Sequence, residues 1–292
     1  MSLVLRLHRV IRIANKGLSS NTIVLLLYML LSILYFSGPL VQGRLPGPFE
    51  FLQVFPALRV EEALTTGNPI QADITENIAQ FIFIQDSLRQ GEIPFWNSLL
   101  GIGQPTFLNG MLIGHFTPIN FVTMVAVPPP YFFIVMACAK MVLFGFFLYK
   151  LMQLYDVDDG IAFLVGLVLM ISPYFTGWTV TVIGDTYSAI PWLFFALTRA
   201  IQAPSRRTRL WLLLSVSYVL LSVFYPIMIY TSVVGGIYAF MLLGRRLFSW
   251  APLRLMLVGV AALAITHIPI YYALDFLMQY GGWGRIGQRG RL

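Results

Sequence analysis

The sequence predicts an all-α fold: a polytopic bundle of about seven transmembrane helices, with a large first outer loop that carries amphipathic helices. Of the 292 residues, 58% are hydrophobic and only 11% are charged, whereas soluble domains are about 45–50% apolar and about 25% charged. This composition excludes a soluble, a disordered and a fibrous protein. The net charge of +7 would fit nucleic-acid binding in a soluble protein. Here the basic residues flank apolar runs, as the positive-inside rule describes, so no nucleic-acid partner is expected.

The N-terminal segment predicts a basic helix on the inner membrane surface, followed by the first transmembrane helix. In residues 1–17, four basic residues recur every three or four positions among apolar ones, as on one face of an interfacial helix. They are Arg6, Arg9, Arg12 and Lys16. The apolar run 22–41 is long enough to span, and no small-residue cleavage site follows it, so we expect a retained helix. The four charges place the N-terminus in the cytoplasm.

Residues 42–111 form the longest polar stretch of the chain. They contain seven of the twelve acidic residues, and a net negative loop after an inside-positive helix belongs outside. From Asp73 to Gln90 the apolar residues have helical spacing, which predicts an amphipathic helix on the outer interface. Asp73 and Glu76 have the spacing of a capping box, and Gly91 is the natural stop of this helix.

Seven further apolar runs follow, and the arginines decide how many of them cross. The runs are 112–127, 131–151, 160–183, 187–201, 210–225, 227–243 and 252–272. If all of them spanned, the arginine cluster at 206–209 would lie outside, against the positive-inside rule. If 112–127 only dips into the outer leaflet as an interfacial or re-entrant segment, every basic cluster lies inside. We therefore expect one membrane domain over 1–292 with seven spans, its N-terminus inside and its C-terminus outside.

Metal, nucleotide and hydrolase motifs are missing from the sequence. It contains no HExxH, Walker, GxSxG, CxxC or well-placed GxGxxG element, so it names no cofactor. Cys138 is the single cysteine, which excludes an intrachain disulfide. The three histidines, His8, His115 and His267, are widely separated, and a metal site needs at least three convergent ligands. No metal site is predicted.

Three acids, Asp73, Asp185 and Asp275, fall at the outer membrane face in this topology. A carboxylate there could activate an acceptor hydroxyl as a general base. Each also has a structural interpretation, because Asp73 could cap a helix, Asp185 follows Gly184 in a short turn and Asp275 could end the last helix. All three lie on the same side of the membrane, which favours a functional role for them.

Lys140 lies in the middle of the run 131–151. A charge near the centre of a bilayer costs several kcal/mol and therefore has a functional or a paired role. Lys140 could hold a phosphate, or it could satisfy a packing partner such as a carbonyl. In either role, we expect it to face the interior of the bundle.

The most specific feature of the chain is a series of short motifs in the outer loop. Asp73 is followed by DSLRQGEIPFWN at 86–97, by GIGQP at 101–105 and by GHFTP at 114–118. This order resembles the first outer loop of the YfhO-like bacterial membrane proteins, which carries a leading Asp and then G-E-L-P-L-W-N-P, G-G-G-x-P and G-x-F-Y-P stretches. Later matching positions are Lys140, Gly145, Pro191, Trp192, Pro269, Asp275 and Arg285. The resemblance covers residues 20–286.

That family is similar to the GT-C glycosyltransferases, membrane bundles that take a sugar from a polyprenyl-phosphate carrier in the bacterial cytoplasmic membrane. The resemblance implies a GT-C-like fold and transfer of a sugar to a cell-envelope acceptor. Asp73 occupies the leading-Asp position and becomes the candidate catalytic base. The implied substrate-binding residues are Trp96, Asn97, His115, Lys140, Asp185, Asp275 and Arg285. Lys140 and Arg285 are the candidates for stabilising the leaving phosphate.

The chain departs from the family in ways that leave a second function open. Ser98 replaces the proline of the Trp-Asn-Pro motif, and Leu112 or Ile113 replaces the usual glutamine before Gly114. Family members continue with more helices, whereas this chain ends soon after its seventh predicted span. The expected partners are a lipid-linked sugar donor and membrane lipids. The alternatives to an enzyme are a non-catalytic membrane subunit, completed by another membrane chain, and a transporter, which would want more polar residues along its spans.

Overall fold

The computed structural model describes residues 20–42, 73–92, 94, 96, 97, 116–128, 131–222 and 225–280, and most of these are helical. The all-α prediction is confirmed for this part of the chain. The helices are α1 Ser20–Tyr35, α2 Ser37–Gln42, α3 Asp73–Arg89, α4 Pro118–Ala126, α5 Tyr131–Gln153, α6 Asp159–Met170, α7 Pro173–Thr176, α8 Val182–Gln202, α9 Arg206–Leu221, α10 Tyr225–Leu243 and α11 Ala251–Tyr280. A 3-10 turn, Gly244–Phe248, joins α10 to α11.

Three of the described helices contain segments long and apolar enough to cross a membrane. They are Tyr131–Gln153, Pro226–Leu243 and Ala251–Ile268. Helices α1 and α6 are equally apolar but have 16 and 12 residues, fewer than the roughly 20 that a bilayer core requires. The predicted membrane character of the chain agrees with this pattern. The predicted basic helix at 1–17 lies outside the described residues.

Helix α5 is the centre of the first half of the bundle, where α1, α4, α6 and α8 pack against it. Tyr28 of α1 is buried, and its hydroxyl donates a 2.9 Å hydrogen bond to the carbonyl of Phe163 in α6. Gly145 and Gly166 let α5 and α6 approach closely, because a Cβ on Gly166 would lie 2.9 Å from the Gly145 carbonyl oxygen. Small residues at such crossings are typical of helix packing in membranes.

The second half of the bundle is built around α8, which packs on α9 and α10, while α11 packs on α9. Aromatic rings join the two halves. Phe147 of α5 stacks on Trp192 of α8 at a centroid distance of 5.4 Å and meets Trp211 of α9 edge-on at 5.8 Å. Such pairs stabilise beyond the area that they bury.

The apolar run 160–183 is not one continuous helix, so the prediction of a single uninterrupted transmembrane helix over this run is wrong. Helix α6 ends at Met170, and the four-residue α7 and a turn follow before α8 begins at Val182. The physical reason is local. Pro173 disfavours a helical conformation at Ser172, whose hydroxyl instead caps α7 by accepting from the Phe175 backbone N–H. The hydrophobicity of the run continues through this break, so composition alone does not reveal it.

The helix predicted from Asp73 to Gln90 is confirmed as α3, Asp73–Arg89. Gly91 follows it with a φ of +77°, the left-handed conformation in which glycine ends helices. Phe81 and Ile84 are buried, whereas Asp86 and Arg89 are exposed, so α3 is amphipathic. Its buried face packs on α4.

In the described part of the run 112–127, residues 116–127, the helix is the nine-residue α4. At 1.5 Å per residue this helix is about 14 Å long, half or less of the hydrocarbon thickness of a bilayer. The side chain of Gln85 in α3 holds its C-terminal end by donating to the carbonyls of Met124 at 2.7 Å and Val127 at 2.5 Å. Residues 112–115 lie outside the described part.

Candidate functional site

Lys140 is fully buried within the bundle, with 0% of its side chain exposed. Its ammonium forms an ion pair with Asp185, with 3.0 Å between Nζ and Oδ2. It also donates a 3.2 Å hydrogen bond to the backbone carbonyl of Thr181. The predicted interior position of Lys140 is confirmed, and the second of its two predicted roles, pairing with a carbonyl, is present together with a carboxylate.

Asp185 lies in the first turn of α8 and not in the short turn that its structural interpretation predicted. Its side chain is 0% exposed. Besides Lys140, its carboxylate accepts hydrogen bonds from Asn120 Nδ2 at 2.8 Å, Thr117 Oγ1 at 3.2 Å and the Tyr218 hydroxyl at 3.3 Å. The start of α4, α5 and α9 therefore supply the partners of Asp185, which itself belongs to α8. We refer to Thr117, Asn120, Lys140, Asp185 and Tyr218 as the polar cluster.

The polar cluster forms where it does because the turn before α8 packs directly against the start of that helix. A Cβ on Gly184 would lie 2.7 Å from the Cα of Thr179 and still closer to the carbonyl oxygen of Trp178. Only glycine fits this approach. The N-terminus of α8 also carries a partial positive charge, which favours an aspartate in its first turn. The backbone and the helix dipole together hold Asp185 inside the bundle.

Electrostatically, the polar cluster is a closed unit with one positive and one negative charge. Both charges are removed from water, which costs several kcal/mol per ion, and their attraction and hydrogen bonds offset that cost only when the geometry is good. The carboxylate has the three uncharged donors described above as well as the ammonium. Lys140 can therefore bind an external phosphate only if its pair with Asp185 breaks.

A second layer of hydroxyl groups extends the polar cluster toward α9. Thr186 and Ser222 are buried, and their hydroxyl groups lie 2.7 Å apart. The Ser188 hydroxyl donates to the backbone carbonyl of Asp185 at 2.8 Å. Sequence reasoning missed Thr117, Asn120 and Tyr218 as members of the site. The available signal was an asparagine within an otherwise apolar run.

Of the predicted site residues, Lys140 and Asp185 belong to the polar cluster. Asp73 is the first residue of α3, and its side chain lies outside the description. Trp96 is 49% exposed, whereas Asn97 is buried. Asp275 is half-buried in the last third of α11. His115 and Arg285 fall outside the described residues.

Two cavities lie along α5, and none of their lining residues belongs to the polar cluster. An apolar groove of about 560 Å³ runs between α1, α4 and α5, past Met29, Cys138 and Phe146. A cavity of about 720 Å³ at the other end of α5 is lined by Lys150, Arg199 and Arg207. Among the described residues, no group of three or more His, Cys, Asp or Glu side chains could hold a metal ion.

Comparison with known proteins identified no relative of this chain. No family model, curated protein or solved structure matches the chain.

Proposed function

We propose that this chain is a multi-pass GT-C-like glycosyltransferase that takes a sugar from a polyprenyl-phosphate donor and gives it to a cell-envelope acceptor. One observation carries the proposal: Asp73, the leading acid of the outer-loop motif series, begins a helix that packs on the end of the bundle through Gln85 and α4. A carboxylate at a helix start beside the membrane surface is well placed to serve as a base. The seven spans and the cytoplasmic N-terminus belong to the same proposal.

The contacts of α4 support its assignment as a re-entrant helix. Its N-cap Thr117 and its residue Asn120 bond to Asp185, the partner of Lys140, while its C-terminal end is followed after four residues by α5 at Tyr131. Lys140 lies nine residues along α5, about 14 Å from its start. Helix α4 therefore runs back along the first part of α5. If α5 crosses the bilayer, the N-terminus of α4 lies near the middle of the membrane, and the polar cluster anchors it there.

In the proposed reaction, Asp73 takes the proton of an acceptor hydroxyl as its oxygen attacks the anomeric carbon of the donor sugar. The bond between that carbon and the phosphate oxygen breaks, and the lipid phosphate leaves with the electron pair. A cation near the leaving phosphate would lower the barrier. Because Lys140 is neutralised by Asp185, Arg285 is the better candidate for that role. Trp96, half exposed, is free to line the sugar site, whereas buried Asn97 shapes the loop.

The test is to replace Asp73 with asparagine in the full chain, reconstituted in liposomes with polyprenyl-phosphate sugars. Asparagine caps a helix about as well as aspartate but cannot accept the proton. We expect an unchanged unfolding temperature and a loss of transfer of about 100-fold or more. The control is Asp86→Asn, an exposed acid of the same helix, which should retain full transfer. Full activity in the Asp73→Asn protein would remove Asp73 from the mechanism.

The second candidate is a non-catalytic membrane subunit that keeps the bundle and binds a partner chain. The observation that favours it is the Lys140–Asp185 pair, because two of the predicted substrate-binding residues neutralise each other inside the protein. Under this function, the unaltered chain transfers no sugar from any polyprenyl-phosphate donor. The Asp73→Ala variant would then lose only about 1 kcal/mol of stability, the usual cost of a lost helix cap.

A further inference from the structure

Three arginines surround one cavity where α8, α9 and α11 meet. The cavity measures about 380 Å³ and is lined by Arg209 of α9, Arg246 of the 3-10 turn and Arg254 of α11. Ser249 and Trp250 complete its rim. Three separate segments thus place three guanidinium groups around the same space.

The backbone holds two of these guanidinium groups in position without neutralising them. Arg246 donates from Nη1 to the carbonyl of Ile201 at 2.9 Å, and Arg209 donates from Nε to the carbonyl of Ser205 at 3.3 Å. In the part of the chain that the structure describes, the only ion pair is Lys140–Asp185. Three guanidinium groups around a cavity whose lining contains no carboxylate give it a positive potential, which favours an anionic ligand.

An apolar groove continues from this cavity along the same helices. A second cavity of about 320 Å³ shares Arg209 and Arg254 with the first. The rest of its wall is formed by Arg206 and the apolar residues Leu210, Leu213, Leu257, Val258 and Ala261. These apolar residues lie on the facing sides of α9 and α11, which pack together. The arginine-lined cavity is therefore continuous with an apolar groove between α9 and α11.

We propose that this pair of cavities binds an anionic phospholipid. Its phosphodiester lies between Arg209, Arg246 and Arg254, and one acyl chain lies in the groove between α9 and α11. Guanidinium groups bind phosphate oxygens through paired hydrogen bonds, and basic pockets between transmembrane helices are a known form of headgroup site. Trp250 is 72% exposed, as expected of a residue at the membrane interface. This site is independent of glycosyl transfer.

The test uses native mass spectrometry of the delipidated full chain in dodecyl maltoside, with phosphatidylglycerol added at increasing concentration. We expect one phosphatidylglycerol to bind in preference to phosphatidylcholine, whose choline group cancels the phosphate charge. The double variant Arg209→Gln/Arg254→Gln should weaken phosphatidylglycerol binding by about 30-fold, from about 1 kcal/mol for each arginine. The matched control, Arg199→Gln/Arg207→Gln, removes two arginines that line the neighbouring 720 Å³ cavity and should leave this binding unchanged.

Two further arms separate a lipid site from a site for free phosphate. Ala261→Phe, which fills the groove, should weaken binding of phosphatidylglycerol, and glycerol 3-phosphate should not compete with the lipid. Equal loss in the two double variants would show that only net charge matters and would overturn the proposal. Equal binding of phosphatidylcholine, no phosphatidylglycerol binding at all, or full competition by glycerol 3-phosphate would overturn it as well. The circular dichroism of each variant confirms that it has folded.

Discussion

Replacing Lys140 with methionine is expected to lower the free energy of unfolding by about 3–5 kcal/mol. The substitution leaves the Asp185 carboxylate buried without its ammonium, while Asn120, Thr117 and Tyr218 supply only uncharged donors. Asp185→Leu should have an effect of similar size for the opposite reason, because it leaves the Lys140 ammonium buried with only the Thr181 carbonyl. Reversible unfolding in mixed micelles of dodecyl maltoside and dodecyl sulfate measures both.

The double variant Lys140→Met/Asp185→Leu distinguishes a paired charge from two separate packing defects. Removing both charges abolishes the desolvation cost, so the double variant should be clearly more stable than either single variant. Lys150→Met is the matched control. Lys150 lies in the same helix but bonds to the uncharged side chains of Asn21 and Gln153. If the effects of the two single substitutions simply add in the double variant, the two charges do not stabilise each other.

Gly184→Ala is expected to destabilise the fold by about 3 kcal/mol. The new methyl group would lie 2.7 Å from the Cα of Thr179 and closer still to the Trp178 carbonyl. These are backbone atoms and cannot rotate away, so the turn before α8 must move. Asp185 is the next residue, and its 3.0 Å contact with Lys140 should lengthen with that movement. The same unfolding measurement in mixed micelles tests this effect.

The control for this substitution is Gly235→Ala in α10. Nothing lies within 4 Å of a Cβ built on Gly235, and alanine is favoured over glycine inside a helix by about 0.5–1 kcal/mol. This variant should be at least as stable as the unaltered chain. An equal loss of stability in the two variants would show that the close approach at Gly184 does not limit the fold.

Local sequence signals predicted α3 and the interior position of Lys140. Helical spacing and Gly91 act within a few residues. A lysine in an apolar run is least costly in free energy when it faces the interior of the bundle. The identity of the partner of Lys140 could not be predicted from local sequence signals. Asp185 is 45 positions away in the sequence. Thr117 and Asn120 reach it from the start of α4 and Tyr218 from α9, so only the packing of α4, α5, α8 and α9 brings the cluster together.

The break at 171–181 shows a different limit. Hydropathy describes the environment of a segment, and the whole run 160–183 is apolar. Backbone direction is set by Pro173 and by the Ser172 cap, which change hydropathy little. The missed break also explains the misplacement of Asp185. Once α8 begins at Val182, its fourth residue falls inside the bundle and not in a loop at the surface.

The central claim is that α4 enters and leaves the membrane on its outer side. If so, the outer loop, α3 and the polar cluster belong to one outward-facing unit. With Cys138 replaced by serine, single cysteines at Gly67, Pro128 and Ser205 are labelled with an impermeant maleimide in intact cells. A re-entrant α4 predicts that Gly67 and Pro128 are both labelled from outside, whereas Ser205 is labelled only after permeabilisation. If Gly67 is labelled from outside but Pro128 only after permeabilisation, the chain crosses the membrane between 67 and 128, and the outward-facing unit does not exist.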